Sequence, residues 1–149
     1  MQITDAGLAQ MKNVYKINLA NCKKITDIGL SYLSNVETIN ISYCDQITDL
    51  GLSYLSNAKT IDISRCNQIT DIGLVHLKQV KKLDLSYCMK ITGTGLMQLK
   101  KVEEIRLNGC VQITDADLKY IKKVKIIYLH DCVLISNAGI EHLKKSNYI

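Results

Sequence analysis

The sequence predicts an α/β solenoid of about six stacked repeats, and three observations carry that reading. The six cysteines, Cys22, Cys44, Cys66, Cys88, Cys110 and Cys132, each stand 22 residues from the next. The same step relates Ile3-Thr4-Asp5, Ile25-Thr26-Asp27, Ile47-Thr48-Asp49, Ile69-Thr70-Asp71, Ile91-Thr92-Gly93, Ile113-Thr114-Asp115 and Ile135-Ser136-Asn137. Within each unit the apolar residues change period, from every second to every third. A fixed step in the range of about 20 to 29 residues marks supersecondary units that cannot bury their apolar faces alone.

The first half of a unit reads as a strand. Val36, Ile39, Ile41 and Cys44 give the spacing V-x-x-I-x-I-x-x-C, which Val80, Leu83, Leu85 and Cys88 repeat. Strict alternation in the short x-I-x-I stretch indicates one buried face. The second half reads as a short helix. Leu30 and Leu33, Leu52 and Leu55, Leu74 and Leu77, and Leu96 and Leu99 lie on one face. Thr26, Thr48, Thr70, Thr92 and Thr114 sit where an N-cap oxygen accepts a backbone N–H, and Asp27, Asp49, Asp71 and Asp115 follow at the positive helix end. Asn35 and Asn57 suit a left-handed stop after the helix. Gly7, Gly29, Gly51, Gly73, Gly95 and Gly139 recur in the first helical turn, where propensity disfavours glycine, so a tight backbone approach is expected to exclude a side chain there. Asp117 breaks that column, which predicts that the sixth helix starts slightly differently or leans outward there.

Composition sets outer bounds. With 149 residues, 47% of them hydrophobic and 22% charged, the chain is expected to form one domain over 1–149, with partial repeats at both ends. No apolar run of about 18 residues is present, and Met1-Gln2-Ile3-Thr4-Asp5 lacks the layout of a signal peptide. Up to Val75 there are 6 basic and 7 acidic residues, and after it 13 and 7, so the +5 charge is all C-terminal.

The columns match the leucine-rich-repeat pattern. The segment Cys22-Lys23-Lys24-Ile25-Thr26-Asp27-Ile28-Gly29-Leu30 resembles the cysteine-containing subclass of that family, familiar from F-box substrate receptors of ubiquitin ligases and from bacterial and viral proteins. The resemblance covers essentially the whole chain. It implies a right-handed solenoid with a parallel sheet on the concave face and short helices on the convex one.

Little points to catalysis. One thiol per repeat in an inward column reads as a ladder of small, buried, reduced groups, although neighbouring strands are close enough for disulfides. Reduced thiols favour an intracellular setting, the cytoplasm of the cell or of a host. A row of thiols without a C-x-x-C pair does not converge tetrahedrally on zinc. His76 and His142 share an outer helical column and His130 follows a strand, none beside a nucleophile and an acid. The glycines are isolated rather than clustered in a phosphate loop. No cofactor is implied.

Residues freed from packing are where a partner would bind. The outward central column is Asn18, Asn40, Asp62, Asp84, Arg106 and Tyr128; beside it run Lys16 to Ile126, Ala20 to His130, and Asn21, Tyr43, Arg65, Tyr87, Gly109 and Asp131. Asn, Ser and Asp in the first half suit solvent and neighbouring backbone. Tyr87, Arg106, Ile126, Tyr128 and His130 combine aromatic, guanidinium and apolar surface, and with Asp62, Arg65 and Asp84 they form the candidate footprint for a protein or peptide. Six strands present roughly 400 Å² of flat sheet. A standard interface needs about 800 Å² per partner, so loops or further repeats would have to contribute. The opening half-repeat and the close at Ile149 show no evident polar cap, which leaves pairing between copies as an alternative. Lys78, Lys100, Lys101, Lys122, Lys123, Lys144 and Lys145 form a ridge. Its plainer account is a solubilising edge, in competition with nucleic acid or anionic lipid contact, and no aromatic residues interleave to stack bases. The expected function is a non-enzymatic interaction module, with ubiquitin-ligase recruitment one version and a structural, self-associating or host-directed protein the alternatives.

Overall fold

A computed structural model describes residues 3–11 and 13–146. Met1, Gln2 and Ile149, on which readings of the two ends rest, lie outside them, as does the Lys145 side chain. Strands β1 (Lys16–Asn18), β2 (Thr38–Asn40), β3 (Thr60–Asp62), β4 (Lys82–Asp84), β5 (Glu104–Arg106) and β6 (Ile126–Tyr128) form one parallel sheet in chain order. Each strand residue pairs with the one 22 further on, as Ile39 with Ile61 and Ile61 with Leu83, so the repeats stack without stagger. Between strands run α1 (Asp5–Leu8), α2 (Asp27–Ser31), α3 (Asp49–Ser53), α4 (Asp71–Leu74), α5 (Gly93–Leu96), a 3₁₀ helix (Asp115–Tyr120) and, last, α6 (Asn137–Ser146).

The core lies between the sheet and the helices. Ile39, Ile41, Ile61, Ile63, Leu83 and Leu85 enter it from the strands, and the paired leucines, such as Leu52 and Leu55, from the helical halves; all are buried. The leucine spacing overstates the helices, because Leu33, Leu55 and Leu77 fall in the turns beyond them. Helices of four or five residues have no stability alone. Neighbouring repeats hold them.

The capping reading holds at four helices. Thr26, Thr48, Thr70 and Thr92 each accept a hydrogen bond from the backbone N–H two residues on, at 3.2 to 3.3 Å. The same threonines donate N–H and O–H to an aspartate of the preceding repeat, as Thr26 does to Asp5 at 2.9 and 2.7 Å and Thr70 to Asp49 at 2.8 and 2.6 Å. That carboxylate explains most of the glycine column. A Cβ on Gly29, Gly51, Gly73, Gly95 or Gly139 would fall 2.1 to 2.5 Å from Oδ1 of Asp5, Asp27, Asp49, Asp71 or Asp115. The expected backbone approach is therefore corrected: at these five sites it is chiefly an aspartate side chain that leaves no room.

The column break is a matched exchange. Gly93 stands where an aspartate belongs and Asp117 where a glycine belongs. Asp117 Oδ2 accepts from Thr114 N and Oγ1 at 2.9 and 2.7 Å, and a Cβ on Gly93 would fall 1.9 Å from Asp117 Oδ1. The carboxylate keeps its role but hangs from the other partner, and the segment it caps winds as a 3₁₀ helix.

The asparagine reading is also corrected. Asn35 and Asn57 are not left-handed; that conformation belongs to the corner after each strand, at Asn21, Tyr43, Arg65, Tyr87, Gly109 and Asp131, with φ between 59° and 67°. Asn57 instead donates its side-chain amide to Ser34 O at 3.2 Å.

Candidate functional site

The sheet's outer face is a shallow hollow of about 480 Å³ running over β1 to β5. Its first four strands spend their central polar residues on architecture. Oδ1 of Asn18, Asn40, Asp62 and Asp84 accepts the backbone N–H two residues on, at 2.9 to 3.0 Å, which ends the strand in an Asx turn. Asp62 also accepts from Ser64 Oγ at 2.7 Å. In β5 the column changes to Arg106, and Asn108 reaches instead to His130 N in the next repeat at 2.9 Å.

Arg106 is held from three sides. Its guanidinium lies 4.3 Å from the centre of the Tyr128 ring, Nη2 is 3.4 Å from Glu104 and Nε is 3.9 Å from Asp84. Lys82 adds a contact to Glu104 at 3.0 Å, and this lysine, followed by Arg106, holds the Glu104 carboxyl below its ordinary range. Half-buried Tyr128 and exposed Ile126 on β6 continue the surface.

The left-handed corners make a second row. Arg65 is sandwiched between Tyr87 and Tyr43, 4.1 and 5.3 Å from the ring centres. Tyr87 donates its hydroxyl to Asp131 at 3.1 Å, a bond that pushes its phenol pKa up. Its ring covers Gly109, where a Cβ would fall 2.4 Å from a ring carbon. Left-handed Tyr and Arg cost of order 1 to 3 kcal/mol each, a cost found most often at functional surfaces. Of the eight footprint residues, then, Arg65 joins Tyr87, and Asp84, Arg106 and Tyr128 form one cluster. Ile126 and His130 lie exposed on its border, and Asp62 belongs with the turn-capping residues.

Sequence reasoning asked the loops beyond these corners for interface area but named no residue in them. In the first three repeats that column holds Lys23, Asp45 and Asn67; in the next three it holds Met89, Val111 and Val133, exposed at 42, 37 and 74%, with Leu134 beside Val133. The signal was available. Subtracting the repeat columns leaves three consecutive loops that change from polar to apolar together.

Comparison with known proteins agrees with this architecture. The family described as Leucine Rich repeat matches residues 32–56 and 76–100. The chain has the leucine-rich-repeat fold. Its repeats superpose on a chain of the yeast Rad7–Elc1 complex with a TM-score of 0.78 at 18% identity, over 92% of this chain and 42% of that one. A chain of the Drosophila Toll–Spatzle complex gives 0.67 at 15% identity, over 87% and 18%. The chain thus spans less than half the length of either solved chain. No curated protein matches it in sequence. Among its described residues no helix is long and apolar enough to cross a membrane.

Proposed function

We propose that this repeat protein is a non-enzymatic interaction module that binds a protein or peptide across β4 to β6 and the loops that follow them. One observation carries the reading. The loop column turns apolar at Met89, Val111 and Val133, in the repeats whose sheet and corners present Tyr87, Arg106 and Tyr128. Aromatic and guanidinium anchors ringed by apolar surface are the composition of binding hot spots. The loops also supply the area that about 400 Å² of sheet lacks against the roughly 800 Å² of a standard interface. Both solved complexes named above pair a chain of this fold with a second protein. Substrate recruitment to a ubiquitin ligase is the version that the likeness to F-box receptors favours, and the buried thiols favour an intracellular setting, the cytoplasm of the cell or of a host.

Affinity capture with mass spectrometry tests the proposal. Arg106→Ala, Tyr128→Ala and Val133→Ser should each weaken recovery of the same partner, while Lys24→Ala should not. Equal recovery by all four variants would refute the footprint. A second reading, self-association, has its own observation: an apolar hollow of about 380 Å³ between β6 and α6, lined by Val124, Ile127, Leu129, Ile140 and Leu143. Capture of the protein alone, with a dimer in light scattering, would establish that reading instead.

A further inference from the structure

We infer that the helical face, opposite the sheet, docks on an anionic lipid surface. Its buried positions are the leucines and valines at 74, 77 and 80, and exposed residues alternate with them at Ile72, Val75 and Lys78. At the second helical position the first three repeats hold Ile28, Leu50 and Ile72, exposed at 63, 58 and 69%, and the next three Thr94, Ala116 and Ala138; one turn later Val75 and Met97 are exposed as well. Packing does not account for these side chains. Lys78, Lys100, Lys101, Lys122, Lys123 and Lys144, all exposed, follow the helices of the later repeats, Lys78 and Lys100 three residues beyond Val75 and Met97.

These lysines differ from those at the strand edge. Lys59, Lys81 and Lys125 are neutralised by Glu37 and Glu103 at 2.7 to 3.1 Å. In the ridge, Lys144 lies 3.7 Å from Glu141 and Lys101 meets only the neutral Gln79, while Lys78, Lys100, Lys122 and Lys123 make no ion pair among the described residues. Asp71 and Asp115, at the starts of two of these helical halves, are committed to Thr92 and Ser136. The helical face therefore passes from apolar in its first repeats to positively charged in its later ones, and Ile72, Val75, Lys78, Met97 and Lys100 stand where the two meet.

Its composition selects the partner. Protein hot spots favour Arg and aromatic residues and are depleted in Lys, and single-stranded nucleic acid needs aromatic platforms. The sheet side has the first set. The helical face has aliphatic side chains that can enter the acyl boundary and flexible lysines whose ammonium groups reach lipid phosphates and carboxylates.

Sedimentation with vesicles of phosphatidylcholine containing phosphatidylserine, against phosphatidylcholine alone, tests this at low and high salt. The protein should pellet with the anionic vesicles at low salt and be released at high salt. Each lysine near such a surface contributes about five-fold in partition, so Lys78→Gln, Lys100→Gln and Lys101→Gln together should lower it about 100-fold. Ile72→Ser with Met97→Ser should lower it too, and Arg106→Ala should leave it unchanged. The proposal is overturned if anionic vesicles leave the protein in solution, if the lysine variant pellets like the parent with an unchanged melting temperature, or if an oligonucleotide retains the protein where vesicles do not.

Discussion

Each buried thiol donates across a repeat boundary: Cys44 to Leu19 O, Cys66 to Ile41 O, Cys88 to Ile63 O, Cys110 to Leu85 O and Cys132 to Leu107 O, at 3.0 to 3.2 Å. These bonds require the neutral thiol, and burial pushes Cys66 from an ordinary 9.0 up to about 12. A folded pKa above the unfolded one stabilises fully below the unfolded value and loses that contribution as pH rises to the folded value. The window for Cys66 is therefore about pH 9 to 12. Cys66→Ser keeps a donor but does not titrate there, so its melting temperature should fall less steeply than the parent's above about pH 9. Parallel curves would remove the thiol from the account. The cysteine column was legible because burial repeats. The left-handed corner was not, because Tyr43, Arg65 and Tyr87 conceal a conformation that Asn21, Gly109 and Asp131 alone would have suggested.

At the scale of an element, the aspartate–glycine contact links each helix to the next, and the Gly93–Asp117 pair reverses it. Gly93→Asp places a second carboxylate against Asp117, and Asp117→Gly strips Thr114 of its acceptor. Each single change should cost about 1 to 3 kcal/mol. The double variant restores the order found in the other repeats and should recover most of that loss, a coupling of about 1 kcal/mol or more in a double-mutant cycle by urea denaturation. Additive losses would mean the two positions act separately. The sequence showed each departure singly; that they stand 24 residues apart, as Asp5 and Gly29 do, acquires meaning only once the repeats are stacked.

For the molecule as a whole, stability is shared along one dimension, since each repeat packs only on its neighbours. Central positions have neighbours on both sides. Leu85→Ala should cost about 2 to 5 kcal/mol and Lys78→Ala no more than about 0.5, measured by thermal denaturation; equal costs would contradict the inward columns. The solenoid was readable because its constraints recur every 22 residues, from Ile39 to Ile61 and onward. Surface columns freed from packing carry no such rhythm, so Met89, Val111 and Val133 went unread until their exposure set them apart from the polar loops before them. The unstaggered pairing also governs how the chain can change length. Excising 22 residues from Asp49 to Thr70 would join Thr48 to Asp71, reproduce the native Thr-Asp junction and keep every strand face inward. The same excision begun at Gly93 would bring Asp117 to the place of Gly95, against Asp71, so the Gly93 boundary resists a removal that the Asp49 boundary accepts.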